Sequence, residues 1–202
     1  HHRPRRNRKM KVKVRRFTKD AGLLCGTAAQ TTIKAGKPTD ILKQIDTETA
    51  KQKIKRVTGY GHTSIIEHAS FTFSIEDASR AMTHQLVRHR IASYTQQSQR
   101  YVTYDTVEKY VTPPSITKNR EANVAYNETL ERISETYQKL LKQGIPKEDA
   151  RFILPNAAKT NIIVTMNARE LRHFFNLRCC RRAQWEIRQA AEEMLKQAKK
   201  AT

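Results

Sequence analysis

A run of polar residues that directly follows a helix-periodic segment constrains this chain more than any other feature. The run extends from Arg88 to Tyr101 and holds three arginines, one histidine, two serines, three glutamines and two tyrosines. Arginine presents a planar fork of donors to phosphate or carboxylate, and serine and glutamine add neutral hydrogen bonds. The segment before it predicts a helix that ends where the arginines begin, because one helical face carries Ala78, Ala81, Met82, Gln85, Leu86 and His89. Together these patterns indicate an anion-binding loop at the end of a helix.

The alternative interpretation is a solvated basic loop, since charged runs usually face water. The whole chain is basic, with 39 Lys and Arg against 19 Asp and Glu and a formal net charge of +20. That balance predicts anionic ligands or weak binding to nucleic acid. The length of the polar run favours the anion site over the solvated loop.

The first nine residues precede a methionine and are typical of a tag, vector residues or a disordered basic arm. Without the five cations of that arm the formal charge is still +15. Residues 10–202 fit one domain with room for a sizeable core. The chain has no apolar run of membrane-spanning length, and no apolar segment follows the basic start as it would in a secretory signal. These features predict a cytoplasmic protein.

The three cysteines are an odd number with two of them adjacent, namely Cys25, Cys179 and Cys180. This pattern is typical of reduced thiols rather than a disulfide framework, and we interpret them as buried or bystander side chains and not as nucleophiles.

Four histidines raise the question of a metal site, but their spacing does not put pairs on one helical face; they are His62, His68, His84 and His89. No cysteine or aspartate joins them in a familiar ligand pattern, so we predict no metal. The six glycines form neither a dinucleotide-binding fingerprint nor a phosphate-binding P-loop.

Periodicity predicts a helix-rich α+β single domain with a small mixed or antiparallel sheet. Strands are expected from residue 10, with Val12 and Val14 on one face at the edge or opening of a sheet, at Phe71, Phe73 and Ile75, and at residues 162–164. Helices are expected over residues 46–57, from Leu130 to a stop at Gly144, from Pro146 to Pro155, from the cap Asn167 with Glu170 three positions on, and along the stripe Ile187, Ala190, Ala191, Met194, Leu195 and Ala198. Thr63 or Ser64 is expected to cap a short helix after the break at residues 59–61.

The central run resembles the signature of the flavin-dependent thymidylate synthases: Arg-His-Arg, two residues, Ser, four residues, Ser, one residue, Arg-Tyr. Further blocks resemble the same family in the same order, at residues 61–68, 71–73, 150–155, 167–169 and 183–187. The resemblance implies that family's fold and reductive methylation of dUMP to dTMP. It also implies methylenetetrahydrofolate as one-carbon donor, and FAD reduced by NADPH as hydride donor. It implies a homotetramer whose active sites are shared between subunits. Every one of these small-molecule partners is an anion. Binding them would explain the excess of positive charge, so no specific nucleic-acid partner is needed to account for it.

By resemblance, Arg178 polarises the pyrimidine, Ser98 lies close to uracil and His62 lies near the flavin; these three are the candidate catalytic residues. We expect Ser98 to position substrate, because a serine nucleophile needs an adjacent base that the sequence does not show. The positions that match dUMP-binding residues are Gln85, Arg88, Gln96, Ser98, Arg100, Arg151 and Arg178. The positions that match FAD-binding residues are Ser64, Arg88, His89, Arg90, Gln96, Asn167, Arg169 and His173.

Two departures from the family pattern concern the site. Thr95-Gln96 stands where Asn-Glu is common, so a neutral amide that donates and accepts replaces an acceptor-only carboxylate, and Ser64 stands where threonine is common. Two rival functions remain open at this point. A pyrimidine hydroxymethylase on the same scaffold would consume methylenetetrahydrofolate without NADPH, and a basic nucleic-acid binder would stack bases on tyrosines beside arginines.

Overall fold

The structure, a computed structural model, describes residues 10–201. The stretch predicted to be a tag or disordered arm, residues 1–9, lies outside the described residues. The chain divides into two compact units. The first unit consists mainly of Ile75–Arg88 and Thr95–Ile162, and the second consists of Val12–Ser74, His89–Tyr94 and Ile163–Thr202.

Within residues 10–201, four strands form one antiparallel sheet in the order β1-β2-β4-β3; they are Lys11–Phe17 (β1), Ser70–Ser79 (β2), Ala92–Gln96 (β3) and Lys159–Asn167 (β4). β1 is an edge strand, as predicted, and Val12 is its buried residue. The alternation that predicted β2 is confirmed, since Phe71, Phe73 and Ile75 are all buried. We did not predict β3, because its five residues Ala-Ser-Tyr-Thr-Gln carry no apolar alternation and none of them is fully buried.

The helices in chain order are Ala21–Thr31 (α1), Pro38–Gln44 (α2), Thr47–Gly59 (α3), Arg80–Leu86 (α4), Pro114–Lys118 (α5), Arg120–Lys142 (α6), Lys147–Ala150 (α7), Ala168–Arg178 (α8) and Trp185–Ala201 (α9). Short 3-10 helices lie at Thr63–His68, Val107–Lys109 and Arg151–Ile153. The helices expected near residues 46–57 and 130–144, from Asn167 onwards and at the C-terminus are confirmed, and the fold belongs to the predicted α+β class. The helix expected from Pro146 to Pro155 is only four α-helical residues followed by a 3-10 helix. The helix before the polar run is shorter than predicted, since Ala78 lies in β2 and α4 ends at Leu86, before His89.

In the second unit, α1 and α3 pack against each other and against the 3-10 helix Thr63–His68. The crossing is tight at Gly26, where a Cβ would lie 2.6 Å from the Cβ and 2.7 Å from the Cα of Ala50. We missed α1 because its buried positions are small residues, such as Cys25 and Ala29, which produce little hydrophobic periodicity. The prediction that Thr63 or Ser64 caps the short helix is wrong, since His62 occupies the capping position without a side-chain bond.

In the first unit, α6 packs on a core of buried tyrosines and small apolar residues, which consists of Tyr104, Tyr110, Leu130, Tyr137, Ala150 and Ala158. Burial raises the pKa of the Tyr104 and Tyr110 phenols, so both stay neutral donors. The Tyr104 hydroxyl donates to the carbonyl of Lys159 at 2.7 Å, which ties the segment after β3 to the start of β4. Gly144 ends the helix as predicted, with a φ of 83° that favours glycine.

Residues 10–201 contain no helix that is long and apolar enough to cross a membrane. All three cysteines are free thiols, and burial raises the pKa of Cys25.

Candidate active site

The candidate catalytic arginine is the last residue of α8. Asn167 caps this helix by accepting a hydrogen bond from the Glu170 backbone N–H at 2.9 Å, as the sequence predicted. At the other end, Arg178 is half-buried and its Nε–H donates to Nε2 of His89 at 3.1 Å. Its two terminal nitrogens make no hydrogen bond within residues 10–201. A guanidinium held at one corner therefore presents its remaining donors outward.

His89 is buried, with 5% of its surface exposed, and its ring is enclosed by residues of α8. Its Nδ1 lies 3.3 Å from Oε1 of Glu170, and its ring centroid lies 4.9 Å from that of Phe174 and 5.8 Å from that of His173. Burial and, next, the charge of Arg178 lower the pKa of His89, while the bond to Glu170 opposes them. The imidazole is therefore neutral at physiological pH.

The second unit also exposes cations and neutral donors. Arg169 donates to the carboxylate of Glu67 at 2.5 Å, and the Ala168 N–H donates to the Ala69 carbonyl at 2.8 Å. These two bonds connect the start of α8 to the 3-10 helix Thr63–His68 and the residue after it. His62, Ser64, Arg90 and His173 are exposed in the same unit. Two arginines, two histidines and a hydroxyl are a donor set that suits an extended anion with several phosphate or carbonyl oxygens.

Gln96, the departure from the family pattern, has a defined place in the first unit. Its Nε2 donates to the hydroxyl of Thr83 at 3.0 Å and to that of Thr160 at 3.3 Å, and both threonines are buried. Within the described residues its Oε1 makes no hydrogen bond. The amide is thus anchored through its nitrogen, and the oxygen is left to accept from a ligand.

The other polar residues of the first unit lie on turns. The Ser98 Oγ accepts from the backbone N–H of Arg100 at 3.2 Å, and no base contacts this hydroxyl in the described part of the chain. The Arg100 guanidinium lies over the Tyr101 ring at 5.6 Å. Arg151 donates through Nε to the Glu148 carbonyl at 3.0 Å. These contacts orient the side chains without neutralising the arginines.

The predicted site residues separate by unit. The first unit holds the candidate dUMP residues Gln85, Arg88, Gln96, Ser98, Arg100 and Arg151, and the second holds His62, Ser64, His89, Arg90, Asn167, Arg169, His173 and Arg178. Their roles toward ligands stay predictions, as does the absence of a metal.

Sequence reasoning missed Glu170. Its place three residues after Asn167 indicated a capping box, and the cap does use its backbone N–H. The residue is only 6% exposed, however, and its carboxylate lies against His89. Ligand atoms of His89, Glu170 and His173 lie within 4.8 Å of one another. His89 and His173 are distant in sequence, so the histidine spacing that we tested could not reveal this cluster. The sequence shows only an acidic residue three positions, about one helical turn, before His173.

The second unit also contains a cavity of about 470 Å³, which is lined by residues other than those of the candidate site. Phe71, Leu171, Phe175 and Leu195 line it, and no predicted site residue does. Since successive residues of a helix are about 100° apart, α8 presents Leu171 and Phe175 on one side and Glu170, His173 and Phe174 on the other. The hydrogen bonds of the second side, and not the cavity, mark the candidate site.

Comparison with known proteins agrees with the motif resemblance. The sequence profile of the family described as thymidylate synthase complementing protein matches residues 13–202. A flavin-dependent thymidylate synthase from Pyrococcus abyssi is 53% identical over 165 residues, which are 80% of this chain and 68% of that protein. One from Geobacter sulfurreducens is 46% identical over 192 residues, which are 94% of this chain and 82% of that protein.

Two solved structures share the fold. A UMP/dUMP methylase from Streptomyces cacaoi, bound with 5-Br dUMP, superposes with a TM-score of 0.81 at 26% identity over 96% of this chain and 91% of that one. Thymidylate synthase X from Helicobacter pylori, with FAD and dUMP, has a TM-score of 0.75 at 24% identity over 94% of this chain and 93% of that one, a likeness in fold alone.

Proposed function

The chain belongs to the flavin-dependent thymidylate synthase family, and on that premise we propose how its residues carry out the reductive methylation of dUMP to dTMP. It is a methyltransferase with FAD as cofactor and dUMP as substrate. In the proposal, methylenetetrahydrofolate donates the one-carbon unit and NADPH reduces the flavin. The observation that carries the proposal is the half-buried Arg178, fixed by His89 with its terminal donors unused.

Arg178 acts on the pyrimidine. Uracil C5 is a weak nucleophile until electron density moves into the ring, and negative charge then grows at N3 and the carbonyl oxygens. A cation fixed before the reaction stabilises that charge without reorganising during the step. The partial burial of Arg178 strengthens this effect, since the attraction between charges is greater away from bulk water.

The other residues expected to bind dUMP belong to the first unit. Arg88, Arg100 and Arg151 bind the phosphate, and none of them is paired with a carboxylate within the described residues. The Gln96 oxygen and Gln85 orient the nucleotide. Ser98 is a positioning group and not a nucleophile, which its engagement with the Arg100 N–H and the lack of a neighbouring base in residues 10–201 both support.

The second unit suits FAD. The donor set fits the group, because Arg90 and Arg169 match its pyrophosphate and Ser64, Asn167 and His173 supply further donors. Arg88 and Gln96, which belong to the first unit, are further expected FAD contacts, and His62 guides folate or NADPH beside the flavin. The resemblance also names His89, but this residue is buried and both its ring nitrogens bond within the protein, so its imidazole has no donor or acceptor left for the flavin. When bound and reduced, FAD supplies the hydride that completes the methyl group.

We further propose a homotetramer in the cytoplasm, with each active site shared between subunits and no specific nucleic-acid partner. The three free thiols support a reducing compartment. To test the shared sites, one mixes and reassembles two inactive chains, Arg178→Ala and Arg88→Ala. Recovery of turnover is expected, because some mixed sites receive both native arginines. No recovery would contradict shared sites.

The activity is tested by tritium release from dUMP labelled at C5, with FAD and methylenetetrahydrofolate, with and without NADPH. We expect release and dTMP formation only with NADPH. Release without NADPH, with a hydroxymethylated product, would show a hydroxymethylase instead. No release by the loaded protein would overturn the enzymatic proposal.

A further inference from the structure

Both ring nitrogens of the buried His89 are used inside the protein. Nδ1 faces Glu170 Oε1 at 3.3 Å, and Nε2 faces the Nε–H of Arg178 at 3.1 Å. The three side chains form a continuous series of hydrogen bonds, from the carboxylate of Glu170 through the imidazole of His89 to the candidate catalytic residue Arg178. Glu170 and His89 are 6% and 5% exposed, so water does not compete for these bonds.

The chemistry at the two ends fixes the direction of every bond. A guanidinium N–H is always a donor, so Nε2 of His89 is the acceptor and carries no proton. The ring proton therefore lies on Nδ1 and points at the Glu170 carboxylate, which only accepts. A carboxylate that selects the tautomer of a histidine, and thereby sets what the other nitrogen does, is a recurring device in metal sites and hydrolase triads.

Two further contacts hold His89, one at its backbone and one at its ring. The hydroxyl of Tyr94 donates to the backbone carbonyl of His89 at 2.8 Å, and the Phe174 ring meets the imidazole edge-on at an interplanar angle of 85°. Glu170, Phe174 and Arg178 all belong to α8, so one helix supplies the acid, the packing surface and the arginine. The imidazole cannot rotate without breaking contacts on several sides.

We propose that Glu170 and His89 are positioning residues that fix Arg178 through its Nε, so that its two terminal nitrogens are directed at the pyrimidine. The inference rests on the proposed catalytic role of Arg178. Because a guanidinium is planar, holding Nε as well as the side-chain carbons sets the orientation of the plane. Glu170 has no assigned ligand in the proposed function, and this role accounts for its burial.

Two substitutions at one position separate positioning from packing. His89→Gln puts an amide oxygen within reach of the Nε2 location, where it can accept from Arg178. His89→Asn ends near the Nδ1 location and leaves Arg178 without an acceptor. We expect His89→Asn to lower kcat by roughly 10- to 100-fold, the range for losing a hydrogen bond to a charged group, with little change in KM for dUMP, and His89→Gln to restore most of kcat.

A double-mutant cycle tests whether His89 acts through Arg178. Arg178→Lys keeps the charge but has no Nε–H for His89 to hold. In that background His89→Asn is expected to cost less than about twofold in kcat, because coupled groups are not additive. An equal loss in both backgrounds would overturn the proposal, and so would equal activity of the Gln and Asn variants.

The tautomer gives a readout that needs no turnover. Nitrogen-15 spectra of histidine-labelled, FAD-loaded protein identify His89 by its absence in His89→Gln. We expect a proton on Nδ1 in the wild type and also in Glu170→Gln, because the Arg178 Nε–H still requires Nε2 to accept. A mixture of tautomers is expected only in the double variant Glu170→Gln/Arg178→Ala, which has lost both the carboxylate and that donor. A proton on Nε2 in the wild type would overturn the hydrogen-bond chain even if the enzyme is active. A wild type with the expected tautomer but no tritium release would instead contradict the proposed function.

Discussion

The two units hold their arginines in different ways. In the first unit, Arg100 stacks on a tyrosine and Arg151 bonds to a carbonyl, so both keep their full charge for a ligand. In the second unit, Arg178 is instead held by the neutral His89, which is itself hydrogen-bonded to the buried Glu170. A side chain that binds a phosphate needs its charge, and its position can vary somewhat. A side chain that stabilises a transition state must already have the correct orientation before the reaction.

The strongest test of this contrast is Arg178→Ala. We expect turnover to fall roughly a thousandfold, as for loss of a preorganised electrostatic group, with FAD binding and the fold retained. Tritium release measures turnover, and flavin absorbance of the purified protein measures FAD content. A fully active variant would refute the role of Arg178 and remove the functional difference between the units.

Arg100→Ala tests the first unit. Loss of one charge-assisted contact to the phosphate should raise KM for dUMP about tenfold or more while kcat changes little. The control substrate is deoxyuridine, which lacks the phosphate, and its poor turnover should be the same for the variant and the wild type. A lower kcat with unchanged KM would place Arg100 near the chemistry and weaken the contrast.

Two matched helix caps sharpen the comparison. Asn119 caps α6 in the first unit by accepting from the Ala122 N–H at 3.1 Å, as Asn167 caps α8 in the second. Replacing either asparagine by alanine should lower the free energy of unfolding by about 1 kcal/mol.

Only Asn167→Ala is expected also to weaken FAD binding and to lower kcat, since α8 carries Glu170 and Arg178. Thermal unfolding and flavin titration distinguish the two effects. Equal effects of both variants on FAD would mean that the cap has no specific link to the site.

The smallest effect concerns pH. Burial keeps the pKa of His89 in the folded protein below its value of 6.5 in the unfolded chain. At a pH between the folded and unfolded pKa, the unfolded state therefore binds more protons at this residue than the folded state does. Stability should therefore decline as the pH falls below about 6.5, until the folded-state pKa is reached. His89→Gln should flatten that part of the profile of melting temperature against pH, and an unchanged profile would assign the decline to other groups.

Strong, regular patterns predicted most of the fold. The stripe of α9, the alternation of β2 and the cap of α8 each arise from local sequence, and each is confirmed. Two of the missed elements, α1 and β3, owe their form to tertiary contacts. α1 packs small residues against α3. β3 pairs with β4 through backbone hydrogen bonds, which do not require a particular pattern of side chains.

The sequence predicted a set of candidate site residues but not how they are arranged. The motif resemblance singled out His89 and Arg178 separately, and the structure brings the two side chains together. Their hydrogen bond joins residues 89 positions apart in the chain, and the buried acid behind it was hidden by its plausible role in a helix cap. Long-range pairing of this kind depends on the fold, which no local pattern encodes.

The tight crossing at Gly26 has a genetic consequence. Even alanine there would drive a Cβ into the backbone of Ala50, and α1 and α3 together support the short helix that carries Ser64. In a screen for rescue of a thymidine-requiring strain, replacements of Gly26 are therefore expected among the loss-of-function alleles, although this glycine is not among the residues expected to contact a ligand.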